Sequence, residues 1–144
     1  MSVVDLVLIP IHAVNGVEVG TEMMWNQASK FGIPKMLVVN GLDREHTRFD
    51  EILAQAKRRF GNNVFPMQLP VNVGPGYNQN VDVLRTELIT YEIDGSGKMK
   101  ENELPEELLD QVRNLHEELI EYVAESDDTL LEKFFEEGSL TEEE

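Results

Sequence analysis

The sequence predicts an α/β protein in which a partial parallel sheet is followed by a small α+β unit. Three observations lead to this prediction. Over residues 1–61, two short runs of aliphatic residues alternate with helix-like segments, an order typical of half of a doubly wound, Rossmann-like sheet. From about residue 62 the chain becomes richer in Gly, Pro and Asn. The last third is strongly acidic and helix-like. We therefore predict two domains, at residues 1–61 and 62–144.

The first half of the chain predicts two strands with a helix between them. Residues 3–9 (VVDLVLI) form a nearly continuous aliphatic run, which predicts a strand covered on both faces. Thr21 can cap the first helix, and Gly32 and Pro34 end it. A second buried strand is predicted at Lys35 to Asn40. The apolar positions expected on that helix are Met24, Ala28 and Phe31.

A second amphipathic helix completes the β-α-β-α order. Thr47 can cap this helix, and Gly61 can close it. Its apolar residues recur at intervals of three and four, which is the spacing of one helical face. The predicted stripe consists of Phe49, Ile52, Leu53, Ala56 and Phe60.

The second half predicts a short antiparallel region followed by helices. Asn72 to Asn80 reads as a loop, and Val81 to Ile93 as one or two strands. Pro105 suits the first turn of a long helix. Asp127 and Asp128 can start a last short helix, which carries Leu130, Leu131, Phe134 and Phe135 and which Gly138 stops. The stripe expected on the long helix is Leu108, Val112, Leu115, Leu119 and Val123.

Charge is distributed very unevenly along the chain. The net charge of −16 divides into −1 for residues 1–100 and −15 for residues 101–144. The acidic third should repel bare phosphate backbone, which argues against sequence-specific nucleic-acid binding, and it favours a basic partner. A solvated helical surface without a partner remains an alternative. The absence of cysteine and of a long apolar run favours a cytoplasmic protein that does not enter membranes.

The sharpest local motif is Asn40-Gly41-Leu42-Asp43, directly after the second predicted strand. Ligands bind at the carboxyl ends of strands in open α/β sheets. An Asp carboxylate there can accept hydrogen bonds from the ring N–H and exocyclic amine of guanine, while the Asn amide faces the acceptor edge of the base or braces the neighbouring loop. In the alternative, Asn40 and Asp43 only satisfy the backbone of a local turn.

An ordered set of segments resembles elongation factor G. The stretch GVEVGTEMMWNQASKFGIPKMLVVNGLDRE is similar to the part of that family that leads into its guanine-specificity motif. FPMQLP, VDVLR and PEELLD follow, and then a segment that runs from HEELIEYVAESDD to the end, in the order and spacing of the family's inserted subdomain. The resemblance covers essentially the whole chain.

The resemblance implies a partial P-loop-type GTPase sheet that lacks its phosphate-loop half, together with an inserted α+β subdomain. It places the start of the chain after the phosphate loop, the switch regions and the magnesium motif, and its end before the last base-contacting loop. We therefore expect GTP or GDP to contact Asn40, Gly41, Leu42 and Asp43, with Mg²⁺ bound only by the full-length parent. We expect no catalytic residue and no metal ligand in this chain, and no hydrolysis of GTP by it alone.

Gly41 departs from the family pattern, Asn-Lys-x-Asp. In the family, the lysine stem packs over the base and the ammonium helps to position the phosphate loop. We expect its loss to weaken nucleotide binding, and glycine makes the loop more flexible.

The resemblance also implies two partners, the ribosome and its stalk protein, with the inserted subdomain as the docking surface. A nucleotide-independent acidic interaction module is the alternative function. The candidate docking residues are Glu106, Asp110, Glu117, Glu118 and Glu121.

A competing motif lies at Glu92–Glu103, which resembles a twelve-residue calcium loop. Asp94, Ser96 and Glu103 would be ligands, and Gly97 the required glycine. However, the entering segment is β-branched and aromatic, so a turn that leaves a strand is the favoured interpretation.

Overall fold

The chain divides into two compact units in the computed structural model. The structure describes residues 3–125, 127–138 and 140. The first unit comprises Met1–Val64 and Asn72–Tyr77, and the second comprises Phe65–Val71 and Asn78–Glu144. The loop Asn72–Tyr77 therefore packs with the first unit, although its position in the sequence had placed it in the second predicted domain.

Both units contain the kinds of element that the sequence predicts, so the mixed α/β fold class is confirmed. In the first unit the elements are β1 (Val7–His12), α1 (Val19–Lys30), β2 (Lys35–Asn40) and α2 (Phe49–Phe60). In the second unit they are β3 (Gln68–Pro70), β4 (Gln79–Asp82), β5 (Glu87–Tyr91), β6 (Met99–Asn102), α3 (Glu106–Ala124) and α4 (Asp128–Glu137).

Strands β1 and β2 pair in parallel, and one face of the pair carries the core of the first unit. Ile9 and Ile11 on β1 are almost fully buried. Ile52 of α2 packs into the same cluster as Ile11, so α2 covers this face. Half-buried side chains at Val17, Leu37, Val39 and Leu42 complete the cluster.

The other face of the β1–β2 pair is open and apolar in the part of the chain that the structure describes. Leu8 lies opposite Met36, and Pro10 lies opposite Val38. Leu8 is 58% exposed, Met36 43% and Val38 40%. The aliphatic runs had predicted that both faces of these strands are covered. That prediction is therefore wrong for these described residues. We call Leu8, Pro10, Met36 and Val38 the open sheet face.

Strand β1 lies further along the chain than predicted. The expected strand at residues 3–9 is wrong at its start, because Val3 and Val4 are exposed and precede the strand, which begins at Val7. It is also wrong at its end, because β1 continues through Pro10 to His12. Proline lacks an N–H, but among the described strands β1 pairs only with β2, and an edge strand tolerates proline.

Helix α1 starts before the residue predicted to cap it. Glu18 is the N-cap. Its backbone N–H donates to Oγ1 of Thr21, a residue of the first turn, at 3.4 Å. The predicted apolar stripe is wrong at Met24 and Phe31, which are 45% and 54% exposed. The inward positions are instead Thr21, Trp25 and Ala28.

An aromatic contact joins α1 to α2. The rings of Trp25 and Phe60 stack with centroids 4.3 Å apart and planes 18° apart. The ammonium of Lys35 lies 4.9 Å from the centre of the indole and also donates to Ser29 Oγ at 3.1 Å. The predicted stripe of α2 and its end at Gly61 are confirmed, whereas the N-cap is Arg48 and not Thr47.

The second unit is an antiparallel sheet against which α3 packs. Its strand order is β3-β4-β5-β6. Val81, Leu88 and Val112 form its buried cluster, so the predicted stripe of α3 faces the sheet. Helix α4 begins after Asp127 as predicted and ends at Gly138, but Phe135 is 76% exposed. Across residues 3–125, 127–138 and 140, no helix is both long and apolar enough to cross a membrane.

Candidate functional site

The Asn40–Asp43 loop lies where the carboxyl ends of β1 and β2 meet. His12 is the register partner of Asn40 at the last position of the parallel pair. The pairing continues by one hydrogen bond, from the N–H of Ala13 to the carbonyl of Asn40 at 2.8 Å. The two strand ends therefore place the His12 and Asn40 backbones side by side at the edge where open α/β sheets bind ligands.

The loop itself is a tight turn with two free polar side chains. The N–H of Arg44 donates to the carbonyl of Gly41 at 3.2 Å, and Gly41 has a φ of +83°. Asn40 and Asp43 are exposed. Within the residues that the structure describes, neither the Asn40 amide nor the Asp43 carboxylate is hydrogen-bonded to the protein. The alternative interpretation required hydrogen bonds from these side chains to the local backbone. The described residues contain no such bonds.

Two further contacts hold the turn in place. Thr47, predicted as a helix cap, is buried, and its Oγ1 donates to the carbonyl of Arg44 at 2.8 Å. On the other side, Leu42 packs against the core of the first unit. The turn is therefore anchored on a rigid scaffold while its polar side chains remain exposed, as a preorganised binding loop requires.

The loop Asn72–Tyr77 also supports this turn, which sequence analysis did not foresee. The N–H of buried Gly74 donates to the carbonyl of Leu42 at 2.7 Å. The loop is closed on itself by a bond from the Tyr77 N–H to the Gly74 carbonyl at 2.9 Å. Its glycine and proline content predicted a loop, but no local pattern reveals a partner 32 residues earlier in the chain.

The space beside Gly41 is bordered by two nitrogen-bearing side chains. A Cβ built on Gly41 would lie 3.6 Å from both Cδ and Nε of Arg44 and 3.9 Å from Nε2 of His12. His12 Nδ1 accepts a hydrogen bond from the N–H of Val14 at 3.2 Å, so the neutral ring carries its proton on Nε2. Neither side chain was among the predicted site residues.

The chemistry of this site is that of recognition. A free carboxylate and a free amide on one turn can bind a planar ligand that offers paired donors next to an acceptor. Among the described residues, no group of three His, Cys, Asp or Glu side chains is placed to hold a metal ion.

All five predicted docking residues are exposed on α3. Four of them lie along one face, because Glu106, Asp110, Glu117 and Glu121 are separated by intervals that return to the same side of a helix. Glu118 lies further round the helix. The buried residue Val112 points to the opposite side, towards the sheet. The acidic face of α3, meaning Glu106, Asp110, Glu117 and Glu121, is therefore a row of exposed carboxylates, which the exposed Arg113 interrupts midway along the helix.

A groove of about 980 Å³ lies beside the start of α3 in the second unit. It has mixed charge, and only Glu106 is shared with the acidic face. Its charged lining includes Arg85, Glu87, Glu101, Glu103, Glu106 and Arg113.

The segment that resembles a calcium loop is the turn of a β-hairpin. It connects β5 to β6, so no helix enters it. Asp94 Oδ1 accepts from the N–H of Ser96 at 2.8 Å, and Ser96 Oγ accepts from the N–H of Lys98 at 3.2 Å. Hydrogen bonds from the Ser96 hydroxyl and from its backbone N–H lower the pKa of Asp94. The favoured interpretation, a turn that leaves a strand, is confirmed.

Two comparisons with known proteins identify the relationship. The family model of the elongation factor Tu GTP-binding domain matches residues 1–139. The chain is also similar to a protein of Thermus thermophilus known from its crystal structure, with 32% sequence identity and a TM-score of 0.82. That similarity covers 96% of this chain and 20% of the other, so this chain spans about a fifth of that protein's length. Because the family model matches nearly the whole sequence, this chain belongs to the family of elongation factor Tu GTP-binding domains, the GTPases of translation.

Proposed function

We propose that this chain is the guanine-recognising and docking part of an elongation-factor-G-type GTPase that drives ribosomal translocation. One observation carries the guanine half of the proposal. Asn40 and Asp43 lie exposed on a braced turn at the carboxyl end of β2, without a hydrogen-bond partner among the described residues, in a chain of the translational GTPase family. Such a protein would act in the cytoplasm, on the ribosome.

Guanine fits the free groups of the turn. The Asp43 carboxylate would accept two hydrogen bonds, from the ring N–H and from the exocyclic amine, and the Asn40 amide would face the acceptor edge. Adenine lacks that pair of adjacent donors and would leave the carboxylate desolvated and unpaired. An unsatisfied group of this kind costs about 1–3 kcal/mol, which is enough to discriminate between the purines.

The proposal assigns hydrolysis of GTP to the parent protein and not to this chain alone. No phosphate-loop motif of the form G-x-x-x-x-G-K-[ST] occurs in the sequence. The open sheet face supports the same assignment, because exposed leucine, methionine and valine on a parallel pair favour covering by further elements. Those elements of the parent would hold the phosphates and Mg²⁺.

The acidic face of α3 is proposed as the docking surface for the ribosomal stalk protein. Its four carboxylates lie on the exposed side of one helix, in a region whose net charge is −15. Such a field accelerates encounter with a basic surface, and the acceleration declines as salt screens it. An acidic interaction module without a nucleotide role is the second candidate, and the replacement of lysine by Gly41 favours it.

The first test compares GDP with ADP by amide chemical-shift titration. We expect GDP, and not ADP, to shift the signals of Asn40–Asp43, and Asp43→Asn to remove the response. Asp50→Asn in the first turn of α2 is the charge-matched control and should leave it unchanged. An equal response to both nucleotides, or none to GDP, would contradict guanine recognition. A phosphate-release assay on the same samples should show no turnover of GTP.

The second test addresses docking. Glu117→Lys together with Glu121→Lys should weaken calorimetric binding of the ribosomal stalk protein at least tenfold at low salt, because two attractive charges become repulsive. Glu45→Lys with Glu92→Lys changes the net charge equally at exposed residues that are not part of α3. Equal losses in both double variants would contradict a specific surface on α3.

A further inference from the structure

Gly41 has no side chain where the family pattern has a lysine, yet the neighbouring space is filled. Cδ and Nε of Arg44 lie 3.6 Å from the position that a Cβ on Gly41 would take. The aliphatic end of the Arg44 side chain therefore lies across Gly41 at van der Waals distance. What requires glycine at position 41 is the φ of +83°, since a Cβ there would make only an ordinary contact with Arg44.

Two hydrogen bonds of the turn fix the backbone of Arg44, from which this side chain extends. Its N–H donates to the carbonyl of Gly41, and its carbonyl accepts from the buried Thr47 hydroxyl. The guanidinium itself makes no ion pair with another described residue. It is thus a cation beside Gly41, in the same turn that carries Asn40 and Asp43.

We propose that Arg44 lies over the guanine base and supplies the stem and the positive charge that Gly41 lacks. The inference rests on the proposed guanine recognition and adds a positioning residue to it. A guanidinium is planar, remains charged at all physiological pH values and stacks on the faces of π systems. His12 Nε2 borders Gly41 as well, and its proton can serve as a donor at the rim of the site.

The magnitude of the effect follows from the exposure of Arg44. A cation over an aromatic ring at an exposed site changes affinity by roughly two- to fivefold. Arg44→Ala should therefore weaken GDP binding by about this factor without abolishing the preference for GDP over ADP, since Asn40 and Asp43 remain. Arg44→Lys retains a cation but not the planar surface, so we expect an intermediate affinity.

The experiment is an amide titration of the whole chain with GDP and with ADP. Arg48→Ala is the matched control, because Arg48 is an exposed arginine four residues away that pairs with Glu51. Weaker GDP binding in Arg44→Ala than in Arg48→Ala supports the inference. If the two variants bind GDP with equal affinity and both still prefer GDP to ADP, the role of Arg44 is overturned. The proposed guanine recognition then stands. A wild-type chain that does not distinguish GDP from ADP overturns the proposed function, and the role of Arg44 with it.

A second set of variants tests directly whether Arg44 replaces the lysine that position 41 lacks. In the Arg44→Ala background, Gly41→Lys should recover GDP affinity, because it restores a cationic stem at the other residue. Gly41→Ala in the same background is the control, since both substitutions carry the strain of a φ of +83° and only lysine adds the cation. Equal affinities for these two double variants would overturn the inference.

Discussion

The backbone N–H of Gly74 donates to the carbonyl of Leu42 at 2.7 Å. Leu42 is the central residue of the proposed guanine-binding turn, and Gly74 belongs to the loop Asn72–Tyr77, which follows strand β3. The conformation of the turn therefore depends on a segment that lies outside the β-α-β-α sequence. Since Leu42 is half-buried and its neighbours carry the free polar groups, this bond helps to set their direction.

We predict that Gly74→Ala disturbs the proposed guanine-binding turn. Gly74 has a φ of +103°, a conformation that costs an alanine about 1–3 kcal/mol, so the loop should shift and lengthen its bond to Leu42. The measurement is faster hydrogen exchange at the residue 74 amide, with altered amide shifts at Leu42 and Asp43. Gly61 has the same φ as Gly74, so Gly61→Ala is the control, and it should disturb only the end of α2. Unchanged Leu42 signals in Gly74→Ala would contradict the coupling.

We predict that Gly16→Ala destabilises the first unit by about 2–3 kcal/mol. A Cβ on Gly16 would overlap Gln55 Oε1, which accepts from the N–H of Val17 at 3.1 Å. The alanine would strain a φ of +73° and displace Gln55 from its hydrogen bond. The free energy of unfolding, followed in urea through first-unit amide signals, measures the loss.

The control for Gly16 is Gly20→Ala in the first turns of α1. Nothing lies within 4 Å of the Cβ that this substitution adds, and alanine favours a helix, so we expect a gain of up to about 1 kcal/mol. Losses of equal size at Gly16 and Gly20 would contradict the packing against Gln55.

We predict that the start of α4 loosens in acid. Asp127 Oδ1 accepts hydrogen bonds from the hydroxyl and the amide of Thr129 and from the amide of Leu130, and these bonds lower the pKa of Asp127. A lowered pKa in the folded state means that the stabilisation is present above the usual aspartate pKa. It is lost as the pH falls through the lowered value.

Amide exchange at Thr129 and Leu130 against pH measures this effect. Asp127→Asn, whose amide oxygen can cap without titrating, should make the exchange protection independent of pH in this range. Asp128→Asn removes the same charge one residue later and should keep the wild-type profile. A pH-independent wild-type profile would contradict capping by the Asp127 carboxylate.

We predict that the open sheet face binds apolar dyes. Leu8 and Met36 lie opposite each other and are exposed, so Leu8→Thr with Met36→Thr should lower the fluorescence of anilinonaphthalene sulfonate. Threonine retains the β-branching that suits a strand, and we expect stability to change by less than about 1 kcal/mol. Val19→Thr with Ile93→Thr, which removes two dispersed exposed apolar residues, should leave the signal unchanged. Equal decreases would show that the dye does not report this face.

The sequence predicted those elements in which local pattern and tertiary packing agree. The limits of strand β2 were predicted to the residue, and helices α2 and α3 were predicted together with their apolar stripes. Each of these elements buries residues at the regular spacing of a strand or of a helix. Strand β1 was misplaced because its limits follow pairing with β2. The register of Val7 with Lys35 and of His12 with Asn40 outweighs the high β propensity of Val3 and Val4.

The candidate site was predictable only in part, for a similar reason. Asn40 and Asp43 are adjacent to a recognisable strand, so their position followed from local order. The contact of Gly74 with Leu42 depends on a loop that returns over 32 residues, and the approach of His12 to Gly41 depends on the register of β1 with β2. No local periodicity encodes either contact. Membership of the translational GTPase family, inferred from ordered segments, is confirmed by the family match.

The location of Trp25 gives the two units different optical properties. Trp25 is the only tryptophan in the sequence, and it lies in the first unit with Tyr77, whereas Tyr91 and Tyr122 lie in the second. Indole emission therefore reports on the unit with the proposed guanine-binding turn, without a contribution from the acidic unit. The indole also lies against the Lys35 ammonium on β2. Any separation of α1 from α2 or from β2 would therefore alter the wavelength and the intensity of the Trp25 emission.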